Sequence, residues 1–555
     1  MRHLSVRLVL VLFGVALLGL VGMSSVPTQA ADIGASFRFD MSDQGKVIGN
    51  KFSMVNSWMY RPEWTTTARS YPDDYFSSRF PFVERVHVMT ATGGHLQRDL
   101  SDPRGETVIE RYNFDRFIEA FRQIVRHGLR PYIKTGNVPL KMSEDPELGT
   151  FGVNVKPPVD YDLYYEYIKS LATALVDEFG IDEVKTWWWG VLTEYENKDW
   201  FDAGDPESTK IAYLKLYDYT VAALEDVLGP ENVIVGAHSM SVIPGYWDER
   251  EFIEHVARGT NYKTGHQGTQ LDFLAVSFYD STLIGLDENK LLRAVEEVRQ
   301  KAESVGLTDL WYGIDEGRVL EGWDRKPLLS RTVNLSAQGA ADAKLFKVMV
   351  EHDIDWFATW TLATDGTWGG ANAITSNVSN LVYKMAGDRL LGGGVVSRSS
   401  NRFNELDALA SFDEASSTLR ILVYNNSPSP ISGTADSFAV TIDNVDLPDG
   451  HKVTALKWPI DDQHANWWPA WSKDQQARNI SDDAYCDWSK YSVQIPGALC
   501  DPQEVAFWRS RVQEYIELGE LRSTVIEVEV RAGSLMLADD IARHGVILYE
   551  IRMED

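Results

Sequence analysis

Two carboxylates are set apart by where they fall. The stretch 187-WWWGVLTEYEN-197 runs from three tryptophans into Thr193-Glu194, and 311-WYGID-315 ends in Asp315-Glu316. Each is an apolar, strand-like run that delivers an acid at its C-terminal end. Two carboxylates across a cleft suit hydrolysis of a glycosidic bond. One protonates the leaving oxygen, and the other attacks, or activates water at, the anomeric carbon. Acids at strand ends are common, so the pair alone decides little. Glu196 has the strand parity of Glu194, and Asp315 adjoins Glu316, so spacing leaves both choices open.

Such a pair needs a frame that brings two separate strand ends to one rim. Phe114, Phe117, Ile118, Phe121, Ile124 and Val125 recur at helical spacing, Gly128 stops the helix, and 129-LRPYIKTG-136 reads as a buried strand. Tyr161 to Phe179 mark a second helical face that Gly180 ends, and the tryptophan stretch follows as a strand. The alternation continues through strands at 233–237, 272–280, 311–315 and 356–360, with helices from about Thr209, over Asn289–Ser304 and over Ala337–Glu351. Segments 52–58 and 85–94 supply the earlier strands. About eight strands alternating with helices predict a (β/α)8 TIM barrel, with a doubly wound open sheet as the alternative. No G-x-G-x-x-G turn follows an early strand, which argues against dinucleotide binding. In a barrel, Glu194 and Glu316 would end the fourth and seventh strands, on the face where such folds do their chemistry.

The texture changes near Leu390. The run 391-LGGGVVSRSSNR-402 reads as a linker, and the short alternating segments 417–426, 437–445, 524–535 and 546–553 predict an all-β sandwich. An aromatic and acidic insertion, Trp458 to Leu521, interrupts it. The expected domains are a signal peptide over 1–30, a barrel over 31–390 and a β-sandwich over 391–555.

Composition narrows the function classes. Hydrophobic residues make up 44% and charged residues 24%, a globular balance, while the net charge of −28 disfavours nucleic acid and anionic membranes as partners. The 18 tryptophans and 23 tyrosines suit sugar rings as well as cores. Arg2 and Arg7, the apolar run Leu8–Val21 and Thr28-Gln29-Ala30 predict a signal peptide cleaved after Ala30, hence a secreted or periplasmic protein with no membrane contact after cleavage. The two cysteines, Cys486 and Cys500, are expected to form a disulfide, and without nearby histidines they make no zinc site.

The order Thr-Glu after strand four and Glu after strand seven resembles the retaining glycoside hydrolases of the (β/α)8 clan that includes families 5 and 39. Family 39, which holds β-xylosidases and α-L-iduronidases, is the closer match. Arg85-Val86-His87 is similar to its Arg-x-His, 113-NFDRFIEAFRQIVRHGLRPYIKTGNVP-139 reads like its next helix and strand, and 461-DDQHANWWPAW-471 matches an Asp-x-x-His-x-Asn-x-x-x-x-Trp stretch of its β-domain. The resemblance covers about residue 47 to the end. It implies that Glu194 is the acid/base and Glu316 the nucleophile, and so chooses them over Glu196 and Asp315. It further implies that His87 holds a sugar hydroxyl and that Tyr279 stands beside the nucleophile. Each has a plain alternative: His87 as a satisfied core histidine, Tyr279 as packing. Thr193 stands where the family has asparagine on the sugar 2-hydroxyl, and Ser277-Phe278-Tyr279 replaces His-x-Tyr. Trp360, with Trp368 near it, is expected as a sugar platform. Asp315 is expected to pair with Arg318, and Asp461, His464, Asn466 and Trp471 to knit the insertion to the barrel. The implied function is a retaining, cofactor-free and metal-free glycoside hydrolase acting on a pentose-, hexose- or uronic-acid-type sugar. A catalytically inactive sugar-binding protein and a transglycosylase are the alternatives.

Overall fold

The protein is described by a computed structural model that covers residues 34–57, 71–89, 91–94, 112–241, 246–280, 286–319, 335–359, 371–399, 406–427, 435–484 and 499–553. The chain opens with β1 (Ala35–Val47). Eight strands then alternate with helices: β2 (Met54–Ser57), β3 (Arg85–Val88), β4 (Arg130–Thr135), β5 (Trp188–Val191), β6 (Val235–Met240), β7 (Phe273–Asp280), β8 (Trp311–Val319) and β9 (Trp356–Thr359). They pair in parallel, each with the next, and β9 returns to β2, so the sheet closes into the expected barrel. Glu194 and Glu316 follow or belong to its fourth and seventh strands.

The helices form where the periodicity places them. Asp115–Arg126 buries Phe117, Ala120, Phe121 and Ile124, one stripe at helical spacing. Tyr161–Phe179 starts at Asp160, whose carboxylate accepts from the N–H groups of Asp162 and Leu163, and ends at Gly180, which supplies a φ of 81°. Each large apolar side chain so buried contributes roughly 1.5–3 kcal/mol against leaving it in water.

Strand alternation sorts the three tryptophans. Trp187 and Trp189 turn outward under the helices, Trp187 against Phe121 and Phe179 at 5.6 and 5.2 Å. Trp188 turns inward near the barrel's N-terminal end, against Phe273 and Trp356 at 5.1 and 5.0 Å. Trp188 and Glu194 lie at different levels of the barrel, with five residues of chain between them. Gly190 follows inward, where a Cβ would come within 2.9 Å of both the Tyr132 ring and His238. The missing side chain makes room for polar groups in the next layer up.

The segment read as a linker is a strand, β10 (Arg389–Arg398). Its glycines suit close pairing: β1 lies antiparallel on it, and a Cβ at Gly393 would strike the backbone of Arg38 at 2.1 Å. The strands that follow are β11 (Leu406–Asp413), β12 (Thr418–Asn425), β13 (Asp436–Asp443), β14 (Lys452–Ile460), β15 (Thr524–Arg531), β16 (Ser534–Ile541) and β17 (Val546–Arg552). Together with β1 these nine strands hydrogen-bond around a closed ring rather than as the two separate sheets of a sandwich. The ring closes through two short seams, β10–β11 and β15–β16, each of two residue pairs. The first described strand therefore belongs to the β-domain, not to the barrel, and the expected division at 390 does not separate two continuous stretches of chain.

The insertion is helical: Trp468–Arg478 and Pro502–Leu518 pack Trp467, Trp468, Trp471, Trp508 and Tyr515 into their own small core. It docks on the barrel through buried Asn377, whose amide donates to the carbonyls of Ala465 and Gly519 at 2.8 Å each, and through the Trp467 indole on Asn372 O at 2.9 Å. Cys500, beside the second helix, is disulfide-bonded; Cys486 lies outside the described residues, as does the expected signal peptide. Among the described residues no helix is long and apolar enough to cross a membrane.

Candidate active site

The site sits at the C-terminal ends of the barrel strands and is built in layers. Below it, β3 and β6 turn His87 and His238 inward until their Nε2 atoms meet, and His87 stacks on Tyr132 of β4 at 4.5 Å. Thr193, wholly buried, places Oγ1 2.9 Å from His238 Nδ1. His87 also hydrogen-bonds the backbone carbonyl of Asp315. Burial drives both imidazoles well below their ordinary range, so both are neutral. Proton placement then follows from the carbonyl, which only accepts. His87 donates to it, and Thr193 Oγ1 is hydrogen-bonded to His238 Nδ1.

Asp315 closes this layer. Its carboxylate accepts from Tyr132 Oη at 2.5 Å and Trp356 Nε1 at 2.7 Å, and burial raises it to about 7. The expected partner, Arg318, has its side chain outside the described residues. A β-bulge explains why neighbouring acids take different jobs. Val276 pairs with Ile314 but Ser277 pairs with Glu316, so Asp315 is the extra residue. The bulge sends Asp315 into the barrel and re-aims Glu316 into the cleft, a use of irregular pairing common beside active sites.

Glu316 is 8% exposed. Tyr279 donates its hydroxyl to Oε1 at 2.6 Å, and among the described residues Oε2 has no hydrogen-bond partner. Burial and the nearby Glu194 carboxylate raise Glu316 to about 8, while Tyr279 and Lys134 pull it down.

Glu194 reaches the same cleft from an irregular turn. The chain leaves β5 at Val191, and both Leu192 and Glu194 have positive φ, 58° and 42°. Leu192 N–H is held by Thr135 O and Glu194 N–H by Ser239 O, each at 2.7 Å, which fixes conformations that are otherwise costly. Strand parity therefore does not apply to Glu194 and Glu196. Glu196 is fully enclosed, and its Oε1 accepts from Ser241 N and Oγ at 2.5 Å each. The half-buried Glu194 accepts from Asn197 Nδ2 at 3.1 Å and also from Ser277 and Trp200. Burial raises its pKa against those hydrogen bonds. Trp200, from the loop after the strand, is thus an aromatic neighbour of Glu194. Ser277 hydrogen-bonds Ser239 at 2.6 Å, so the position without the family's histidine carries a hydroxyl pair instead.

Lys134, from β4, is a member of the cleft that sequence reasoning missed. It is buried, and its charge acts on both Glu194 and Glu316. One inward step from Tyr132, two residues on, would have located it, had the strand been read for facing as well as for apolarity. Trp360 and Trp368 lie outside the described residues. Among the described residues no group of three or more acids, histidines or cysteines could hold a metal ion.

Known proteins share this frame. Residues 83–307 match the family described as Glycosyl hydrolases family 39. A β-xylosidase of Caldicellulosiruptor saccharolyticus is 24% identical over 193 residues, 34% of this chain and 38% of that protein. One from Geobacillus stearothermophilus is 31% identical over 121 residues, 21% of this chain and 22% of that protein. The matched part thus spans well under half the length of either relative. In fold, the likeness covers nearly everything: the structure of a family 39 enzyme from Xanthomonas axonopodis pv. citri superposes with a TM-score of 0.66 at 14% identity, over 95% of this chain and 99% of that one. Residues 83–307 are thus similar to glycoside hydrolase family 39, and over the rest of the chain the likeness to solved structures is one of fold.

Proposed function

We propose that the protein is a retaining glycoside hydrolase with Glu316 as nucleophile and Glu194 as acid/base. One observation carries the reading. Tyr279 ties one oxygen of Glu316, and among the described residues the other, Oε2, has no hydrogen-bond partner, in a cleft that also holds the half-buried Glu194. In the first step Oε2 attacks the anomeric carbon, and Glu194 gives its proton to the departing oxygen. In the second, Glu194 takes a proton from water, whose oxygen displaces Glu316 from the sugar. Two buried carboxylates in one cleft repel, so the pair loses its protons in two steps, and the chemistry starts from the state that keeps one.

His87 and Thr193 have no exposed surface, and we read them as supporting the cleft floor. Tyr279 is the residue best placed to meet both nucleophile and sugar. Trp360 remains a proposed platform, the sugar is taken to be a terminal pentose, hexose or uronic acid, and the protein is taken to be exported. Because the matched relatives are β-xylosidases, aryl β-xylosides are the first substrates to try, followed by aryl hexosides and uronides. Glu316→Ala should abolish turnover, and azide should then yield a glycosyl azide of inverted configuration. Glu194→Ala should spare the first step mainly for activated leaving groups. Full activity of Glu316→Ala on the best substrate would exclude the mechanism. Binding without turnover would mark an inactive sugar-binding protein, and new glycosides formed with added alcohols would mark a transglycosylase.

A further inference from the structure

Strand β4 places a lysine where a methionine would fill the same space at no electrostatic cost. Lys134 is 1% exposed. Its Nζ donates to Asn137 Oδ1 at 2.6 Å and lies 4.7 Å from the centre of the Trp200 ring. Trp200 in turn hydrogen-bonds Glu194. Among the described residues no carboxylate lies within ion-pair distance of Nζ, and the acids that feel its charge are Glu316 and Glu194. The other titratable groups around it do not compete. His87 and His238 are neutral, Asp315 is taken up by Tyr132 and Trp356 in the layer below, Tyr279 is bound to Glu316, and Asp199 acts on Glu194 from outside the barrel strands. A buried ammonium whose contacts are all uncharged is costly unless a charge nearby offsets it.

The reaction proposed above supplies that charge throughout. Before the sugar is transferred, Glu316 is the anion and Glu194 holds a proton. As the bond from Oε2 to the anomeric carbon forms, the bond to the leaving oxygen breaks and the Glu194 proton goes to that oxygen. Glu316 is now a neutral ester and Glu194 the anion. Water then gives its proton to Glu194 and its oxygen to the sugar, and Glu316 leaves as the anion again. The cleft carries one negative charge in both halves of the cycle, and that charge moves between two residues that both face Lys134. We propose that Lys134 is a positioning residue, the common counter-ion of Glu316 and Glu194, which keeps one of them ionised in each half-reaction while retaining its own proton. This rests on the glycosidase reading for its role in turnover but not for the electrostatic coupling itself.

Burial brings Lys134 down to about 7 while the two carboxylates hold it up. Because coupling between charges is reciprocal, removing the lysine must raise Glu316. The test is a carboxyl-carbon NMR titration of the substrate-free protein labelled at glutamate, with signals assigned by Glu316→Gln and Glu194→Gln. Lys134→Met should move the Glu316 midpoint up by about one pH unit or more, a tenfold or greater change in its ionisation. Lys134→Arg, which restores the charge, should hold it within a few tenths of the wild type. A folded Lys134→Met with an unmoved Glu316 midpoint overturns the proposal. If Lys134→Met does not fold, the reverse reading decides. The lysine's own titration, followed by its side-chain carbon signal, should fall in Glu316→Gln relative to wild type, and an unchanged value overturns the proposal. Absence of glycosidase turnover would sink the proposed function and leave these titrations readable, so the two failures are distinct.

Discussion

The Thr193 hydroxyl points down to His238 Nδ1, 2.9 Å away inside the barrel, and not up into the cleft. It begins a buried chain of contacts, Thr193 to His238 to His87 to the Asp315 carbonyl. That chain links the residue before the proposed acid/base to the residue before the proposed nucleophile. Thr193→Val keeps the shape and removes the donor, leaving a buried imidazole nitrogen unsatisfied. It should cost about 1–3 kcal/mol of stability and should leave KM nearly unchanged. Urea unfolding with parallel kinetics on the best aryl glycoside checks this. A large rise in KM at full stability would put the hydroxyl on the sugar.

Tyr279 acts on Glu316 by a hydrogen bond to its charged form, which lowers the carboxyl's pKa. Tyr279→Phe should therefore raise it further and shift the acid limb of the kcat/KM profile to higher pH. At pH 6 the loss should be about 10- to 100-fold, shrinking as pH rises past the limb. A pH-independent loss would mean that the hydroxyl serves the sugar instead.

Burial raises Glu196 to about 8. The unfolded chain releases this proton near 4.5, while the folded protein keeps it. The contribution of Glu196 to stability is thus fully present below about 4.5 and is lost as pH rises toward 8. Glu196→Gln keeps an acceptor for Ser241 and removes the titration. Its stability gain over wild type should be near zero at pH 4.5 and on the order of 1 kcal/mol or more at pH 8.5. Melting temperatures of both proteins across that window provide the check, and parallel curves would refute it.

Asn377 joins the helical insertion to the barrel through two buried carbonyls. Asn377→Ala orphans both, so a loss of about 1–3 kcal/mol is expected, with faster amide exchange across Trp468–Arg478 than across the barrel strands. Uniform exchange would show that the docking is held elsewhere.

The barrel was legible because its helices repeat apolar residues at 3.6 and its strands are continuous apolar runs, so Ile118 or Ile133 announces its element. Glu194 and Glu316 could be placed at one rim because strand order alone decides that. The division of labour between Asp315 and Glu316 was not legible, since a bulge is set by pairing with β7 and leaves no local mark. Nor was Lys134, because an apolar run read as a buried strand does not say which of its residues face the cleft. β10 was hidden by its own glycines, which read as a linker and in fact admit the backbone of β1.

The pairing of β1 with β10 and β13 has a consequence for how the protein is made. The strand emerges from the ribosome first, yet roughly 340 residues must be synthesised before its nearest partner appears, about 20–70 s at ordinary elongation rates. Through that interval it is an unpaired, partly apolar strand tethered to a barrel that is complete before the β-domain can begin to close. Topologically the barrel is a guest inside the β-domain, held at both its ends by neighbouring strands of one sheet. A single cut between the two would leave the halves clasped through β1, and the protein would come apart only when that ring opens.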